Sequence, residues 1–274
     1  MNYSFSVCMS VYKNDKPTDV SVALDSIINQ TVRPNEIVLV VDGPVSDELM
    51  LVLDEYDKRY IGLFNMIRLP INKGLGNALN LATVQAKYEL IARMDSDDIA
   101  EPTRFEKQLK CFKKDSELSV VGGSISEFID SSDNIVGHRI CPLSNDKIKD
   151  FMKSRCGFNH MTVMFRKFDV LRVGNYQHWH YNEDYYLWIR MMLAGCKFAN
   201  LPDILVNVRV GKDMYARRGG WRYFKSEAKL QHYMWRNNVI GFLRFIYNVS
   251  IRFAVQVAMP NSLRGWVFRM FARN

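Results

Sequence analysis

The sequence predicts an α/β fold built on a mostly parallel central sheet flanked by helices. Two observations carry this prediction. The apolar runs FSVCMSVY (Phe5–Tyr12), EIVLVVDG (Glu36–Gly43) and YELIARMD (Tyr88–Asp95) are nearly continuous rather than alternating in polarity, as strands covered on both faces require. Between them lie stretches of helical period, the first of which places Val20, Ala23, Leu24, Ile27 and Ile28 on one face. Sheets of this class bind ligands beyond the carboxyl ends of their strands, so the residues at those ends are the first candidates for chemistry.

The elements follow in order. Phe5–Tyr12, the helical DVSVALDSIINQ and Glu36–Gly43 make a β-α-β unit that ends in Asp42-Gly43. The pattern then repeats through a helical SDELMLVLDEYDKRY, a short strand FNMIRL, a helix beginning near GLGNALNLATVQA and the strand YELIARMD. PTRFEKQLKCFKKD reads as a helix with Pro102 in its first turn, and LSVVGGSISEFID as a strand. Asp130 to Gly174 has no clear period, whereas NEDYYLWIRMMLAGCKF is strongly helical with Gly195 as its stop.

Composition narrows the class. With 274 residues, 48% hydrophobic and 24% charged, the chain can bury a core throughout, as one large domain or one domain with a short appendage. The five cysteines are scattered and never spaced C-x-x-C, which argues against a disulfide framework or a zinc ribbon and points to a reducing compartment. The N-terminus lacks the pattern of a secretory signal, so the expected location is cytoplasmic.

Charge is uneven. Leu205 to Asn274 contains thirteen Lys and Arg against Asp213 and Glu227, a net of +11 within a chain total of +8, so the remaining residues sum to −3. The C-terminal quarter is therefore expected to meet something anionic. Its apolar stretch VIGFLRFIYNVSIRFAVQVAMP is interrupted by Arg244 and Arg252, and a central arginine costs a spanning helix roughly 2.5–3.5 kcal/mol. One reading is an amphipathic helix in a membrane interface, followed by RGWVFRMFARN, where Arg264, Arg269 and Arg273 interleave with aromatics. The other is a helical subdomain packed on the core with solvated arginines.

The densest chemical signal is IARMDSDDIAEPTRFEKQ, with Asp95, Asp97 and Asp98 directly after an apolar strand. Such carboxylates repel unless a cation or polar ligand is shared. They form either a helix-capping turn or a hard-oxygen seat for Mg²⁺ or Mn²⁺ and a diphosphate; the glycine and terminal glutamate of an EF-hand are missing. Asp42, at the end of an earlier strand, is placed to hydrogen-bond a base or ribose. Glu183 and Asp184 supply a second acidic pair, which as a bare helix N-terminus would also be favourable.

The ordered set SVYKND, VVDGP, NKGLGNALN, ARMDSDDIAEPTRFEKQ, HMTVMFRK and NEDYYLWIRM resembles the successive motifs of the family 2 glycosyltransferases, inverting enzymes of the GT-A fold. It is most similar to the bacterial branch that builds O-antigen, capsule and exopolysaccharide. The resemblance runs from about Phe5 to Glu227. It implies a glycosyltransferase domain over 1–227, with a nucleotide-binding half (1–100) and an acceptor half (101–227), and a helical, basic amphipathic segment over 228–274.

By that resemblance Ser10, Val11 and Tyr12 border the nucleotide, Asp42 reads the uracil or ribose, and Lys73, Gly74 and Asn77 line the donor pocket. Asp95, Ser96 and Asp97 match the D-x-D motif, with Asp97 the direct metal ligand and Asp95 turned toward the ribose or the metal shell; Arg93 lies near the donor. Asp184, beside Glu183, matches the catalytic base. Gly211 stands where many relatives carry a metal-binding histidine, so Arg209, Arg217 and Arg218 are candidates to clamp the diphosphate instead, or form a solvated loop. His160 is a structural or acceptor-side residue. Trp179, Tyr181, Tyr185 and Trp188 are sugar-stacking or core aromatics.

The implied activity is inverting, Mn²⁺- or Mg²⁺-dependent transfer of a hexose, glucose or galactose, from a UDP-sugar to a polyprenyl-diphosphate-linked saccharide. The implied location is peripheral, on the inner face of the plasma membrane against anionic lipid. A nucleotidyltransferase acting on sugar phosphates would share the nucleotide site but not need the Glu183–Asp184 pair. A nucleic-acid-binding protein would explain the basic C-terminus but not the acidic strand ends, so no nucleic-acid partner is expected.

Overall fold

A computed structural model describes residues 4–211 and 219–259. The first half alternates as expected: β1 (Phe5–Val11), α1 (Pro17–Ile28), β2 (Glu36–Val41), α2 (Asp47–Arg59), β3 (Phe64–Arg68), α3 (Leu75–Gln85) and β4 (Leu90–Met94). Next come β5 (Ile99–Ala100), α4 (Arg104–Lys114), β6 (Leu118–Phe128), β7 (Ile135–Arg139), α5 (Asn145–Phe151), β8 (Met164–Arg166), α6 (Lys167–Arg172), α7 (Glu183–Leu193) and β9 (Lys197–Arg209). Two α-helices follow, α8 (Trp221–Arg236) and α9 (Phe242–Phe253), the second continued by a π-helical turn at Ala254–Ala258.

The strands form one sheet in the order β3-β2-β1-β4-β8-β6-β9-β5, with β7 on β6. β1 to β4 are parallel, and β6 and β9 pair parallel to each other. β8 enters antiparallel between β4 and β6, so the sheet is mixed at its centre. β8 lies in the stretch whose sequence has no clear period. Three residues long, it is too short to carry one, and pairing with two longer neighbours defines it.

Both faces are covered, which explains the continuous apolar runs. Along β1, Val7 and Met9 join a core shared with Leu24 of α1, Leu53 of α2 and Phe105 of α4, while Cys8 faces a second core containing Leu79 of α3 and Trp188 of α7. The five cysteines are all free.

Two local expectations change. Pro102 precedes α4 rather than lying in its first turn; its carbonyl accepts the Thr31 N–H, and the side-chain oxygen of Gln30 accepts the first-turn N–H of Phe105. The boundary expected at 227/228 falls inside α8, a continuous helix whose Leu230 and Met234 are fully buried in the second core. α8 also supports the acidic pair, because Trp179 Nε1 donates to Ser226 O and Ser226 Oγ donates to His180 O. Among the described residues no helix is long and apolar enough to cross a membrane. The aromatic, basic RGWVFRMFARN lies outside the described residues.

Candidate active site

The carboxyl ends of β1, β2 and β4 converge as parallel strands must. Between the first two, a cleft of about 450 Å³ is lined by Tyr12, Lys13, Asp42, Pro44, Pro70, Ile71 and Asn72. Asp42 anchors its floor. The Lys73 N–H donates to Asp42 Oδ1 (2.7 Å), the Gly74 N–H to Oδ2 (2.9 Å), and Asn72 Nδ2 to the Asp42 carbonyl (3.0 Å). The carboxylate thus organises the loop that leads into α3, and the chain between strand and loop must be glycine. Gly43 has φ +87°, and a Cβ there would lie 2.5 Å from Asn72 N.

A larger depression, about 690 Å³, opens elsewhere between Glu117, Lys149, Arg166, Arg172 and Lys197. Its cations are already engaged: Lys197 pairs with Asp115 and Glu117, Arg172 with Asp169, Arg166 donates to backbone carbonyls, and Lys149 lies over the Phe198 ring. The candidate site is therefore the smaller cleft at the strand ends.

Asp15 joins that cleft to the aspartate turn. It accepts the Tyr12 N–H (3.0 Å) and the Ser96 hydroxyl (2.8 Å), and burial raises its pKa. The sequence reading missed Asp15; the only signal was its place in SVYKND, directly after β1. Asp97 opens to solvent within the turn, yet crowding by protein, then the charges of Asp95 and Asp15, push its carboxyl up to about 6. Asp98 is buried, accepts the Arg209 N–H at 2.9 Å through Oδ1, and is held well above the carboxylate range by burial and by Asp95 and Asp97.

Arg93 lies behind this turn rather than in the cleft, with only 2% of its surface exposed. It forms an ion pair with Asp95 through Nη1. Its positive charge acts on Asp95 and Asp97 on one side and on Glu183 and Asp184 on the other. One buried cation thus serves both acidic groups.

Glu183 and Asp184 occupy the first turn of α7, where the helix dipole favours carboxylates. Glu183 packs against the start of α3: a Cβ on Gly76 would sit 3.3 Å from its Cβ. Burial, then the charge of Asp184, raises Glu183 to about 7. Asp184 is raised mainly by burial, opposed by the Tyr185 N–H and Arg93, and its Oδ2 lies 4.0 Å from Cys156 Sγ. His160 Nε2 contacts the Tyr176 hydroxyl at 2.9 Å, and burial followed by the charge of Arg93 keeps its ring neutral.

Several expected residues take other places. Val11 is fully buried in the core; only its carbonyl reaches the site, accepting the Asp42 N–H at 2.8 Å. Ser10 is half-buried at the strand end, and Asn77 is exposed on α3, donating to the Lys73 carbonyl. Arg209 is engaged by the protein, donating to the Asp97 and Asp130 carbonyls and pairing with Asp19 at 3.2 Å. Arg217 and Arg218 lie outside the described residues. Of the four aromatics, Trp188 and Tyr185 are core, Trp179 is nearly so, and Tyr181 is exposed with φ +56°.

Among the described residues no three His, Cys, Asp or Glu side chains converge to hold a metal. The arrangement fits a hard cation of the kind that takes one or two carboxylates and completes its shell with substrate phosphates and water. Asp97, exposed on the turn, and Asp95 beside it are the oxygen donors of the right chemistry.

Comparison with known proteins agrees with this geometry. Residues 6–176 match Glycosyl transferase family 2. The chain is 41% identical over 242 residues to the amylovoran biosynthesis glycosyltransferase AmsE of Erwinia amylovora, covering 88% of this chain and 89% of that one. It is 36% identical over 270 residues, 98% of this chain and 96% of the other, to the UDP-Gal:alpha-D-GlcNAc-diphosphoundecaprenol beta-1,3-galactosyltransferase of Escherichia coli. The fold is similar to that of the mannosyltransferase PcManGT from Pyrobaculum calidifontis, solved with GDP-Man and Mn²⁺, at a TM-score of 0.64 and 15% identity over 97% of this chain and 80% of that one. With the GT-A fold seen in the structural neighbour, a family match over more than half of the chain and relatives at 36% and 41% identity, the protein is a member of glycosyl transferase family 2.

Proposed function

We propose that the protein is an inverting, metal-dependent hexosyltransferase that moves glucose or galactose from a UDP-sugar to a lipid-linked saccharide in bacterial surface-polysaccharide synthesis. The observation that carries this reading is that Asp42 at the strand-end cleft holds the loop into α3, that Glu183 packs against the start of the same helix, and that the charge of buried Arg93 acts on both the aspartate turn and the acidic pair. The similarity to an enzyme named for UDP-Gal and a diphosphoundecaprenol acceptor supports the donor and acceptor classes.

Tyr12 and Asp42 hold the nucleoside, while Lys73, Gly74 and the start of α3 lie toward the sugar phosphate. Ser96 keeps the turn in place through Asp15. Asp97, with Asp95, would hold a Mn²⁺ or Mg²⁺, which would supply positive charge to a leaving diphosphate in place of a general acid.

Asp184 accepts the proton of the attacking acceptor hydroxyl. Burial raises its pKa, which strengthens it as a base, and the charge of Arg93 opposes that rise. Attack on the anomeric carbon from the face opposite the diphosphate inverts the configuration. The lipid-linked acceptor places the enzyme peripherally on the cytoplasmic face of the membrane.

Calorimetry of UDP binding with and without Mn²⁺, on wild type and Asp97→Ala, tests the donor site before any acceptor is known. Metal-dependent binding that disappears in the variant is expected. Equal binding by both proteins would remove the metal role of Asp97.

A further inference from the structure

We propose that the outward face of α9 is a bilayer-seating surface and that the inward face of the same helix holds it in register with the acidic pair; this rests on the lipid-linked acceptor proposed above. α9 is amphipathic in reverse. Its inward face carries polar groups beside Phe245, which stacks on Trp235: Asn248 Nδ2 donates to Lys153 O (2.9 Å) and Gln231 Oε1 (2.8 Å), and Arg252 pairs with Glu227 and donates to Ser154 O (2.6 Å). Its outward face is apolar, with Leu243 85%, Tyr247 61% and Phe242 55% exposed, joined by Ile246, Ile251 and Phe253. Burying polar groups while presenting aliphatic and aromatic ones to water is costly unless another apolar medium meets that face.

Charge selects the occupant. Arg244 borders the apolar face, and Lys225 lies over Trp221, whose ring meets Phe253. The one carboxylate side chain on α8 and α9, Glu227, is buried against Arg252. A second copy would bring like charges together, whereas anionic headgroups complement this rim while the apolar residues enter the interface. The arginine expected to interrupt the membrane face at 252 does not do so, because it turns inward.

The inward contacts give the surface its use. They grip Lys153 and Ser154, and Cys156, two residues beyond Ser154, touches Asp184. A bilayer under α9 therefore lies at a fixed distance from the proposed base, where the head of a membrane-borne acceptor must arrive.

The test is flotation of the full-length protein with phosphatidylethanolamine/phosphatidylglycerol vesicles and with phosphatidylcholine vesicles. The wild type should float with the anionic vesicles. A Leu243→Glu/Tyr247→Glu variant should lose roughly tenfold or more in partitioning. Arg244→Glu should lose the preference for anionic over neutral vesicles, and all three proteins should bind UDP alike. Undiminished flotation of the double variant would overturn the proposal, as would a wild type that stays in solution as a dimer split by those substitutions. Normal flotation without UDP binding would leave this surface standing and remove the donor reading instead.

Discussion

Asp42 Oδ2 accepts the backbone N–H of Gly74 at 2.9 Å across thirty-two residues of chain, while its other oxygen accepts the neighbouring N–H of Lys73. The residue that the sequence marks as a nucleotide reader is therefore also the clasp of the loop that forms the cleft. Asp42→Ala leaves two amides without their charged acceptor and should cost about 2 kcal/mol in urea unfolding, together with UDP affinity measured by calorimetry. Asp42→Asn, retaining one acceptor oxygen, should fall between. Wild-type stability in both variants would show that the clasp contributes nothing.

Gly43 and Gly62 share a positive φ, at +87° and +81°, but only Gly43 has backbone in the way. Gly62→Ala should cost about 1 kcal/mol for its left-handed conformation alone. Gly43→Ala must also move Asn72 and should cost at least about 2 kcal/mol while weakening UDP binding. Equal losses at the two positions would mean that the loop yields freely.

Asp184→Asn should lower kcat by about 10²- to 10⁴-fold with little change in donor affinity, since the lost group acts on the acceptor proton. Turnover that persists in this variant would remove Asp184 as the base.

Glu183 yields a pH-dependent stability. Its folded pKa of about 7 lies above the ordinary 4.5, so the folded state prefers its protonated form. The contribution is complete below the unfolded value and is lost as pH rises through about 7. Wild type should therefore lose stability relative to Glu183→Gln between about pH 4.5 and 7, by at most about 3 kcal/mol. Parallel Tm curves for the two proteins over that window would show that Glu183 is not strained by burial.

The buried pair under α9 is testable by unfolding. Arg252→Met removes one partner and leaves Glu227 with its charge enclosed, at a cost of about 3 kcal/mol, whereas changing both residues to apolar ones should recover much of that loss. Additive losses would show that the two do not depend on each other.

Much of this molecule was legible in its chain. Strands buried on both faces leave unbroken apolar runs, so β1, β2 and β4 and the residues at their ends could be read directly, as could the helix that starts at Glu183. The fold class, the family motifs and the clustering of Asp95, Asp97 and Asp98 are properties of local sequence. What they face is not. The positions of Asp15 against Ser96, Arg93 behind both acidic groups and Val11 in the core depend on which strands lie side by side, and no period within one segment encodes that. The inward turn of Arg252 is the clearest case: an arginine in an apolar helix reads as an interruption until Glu227, from another helix, is seen to receive it. Local pattern determined which residues have the chemistry for a nucleotide, a cation and a proton; tertiary packing decided which share a cleft, because burial and charge act between residues that meet only when the sheet is assembled.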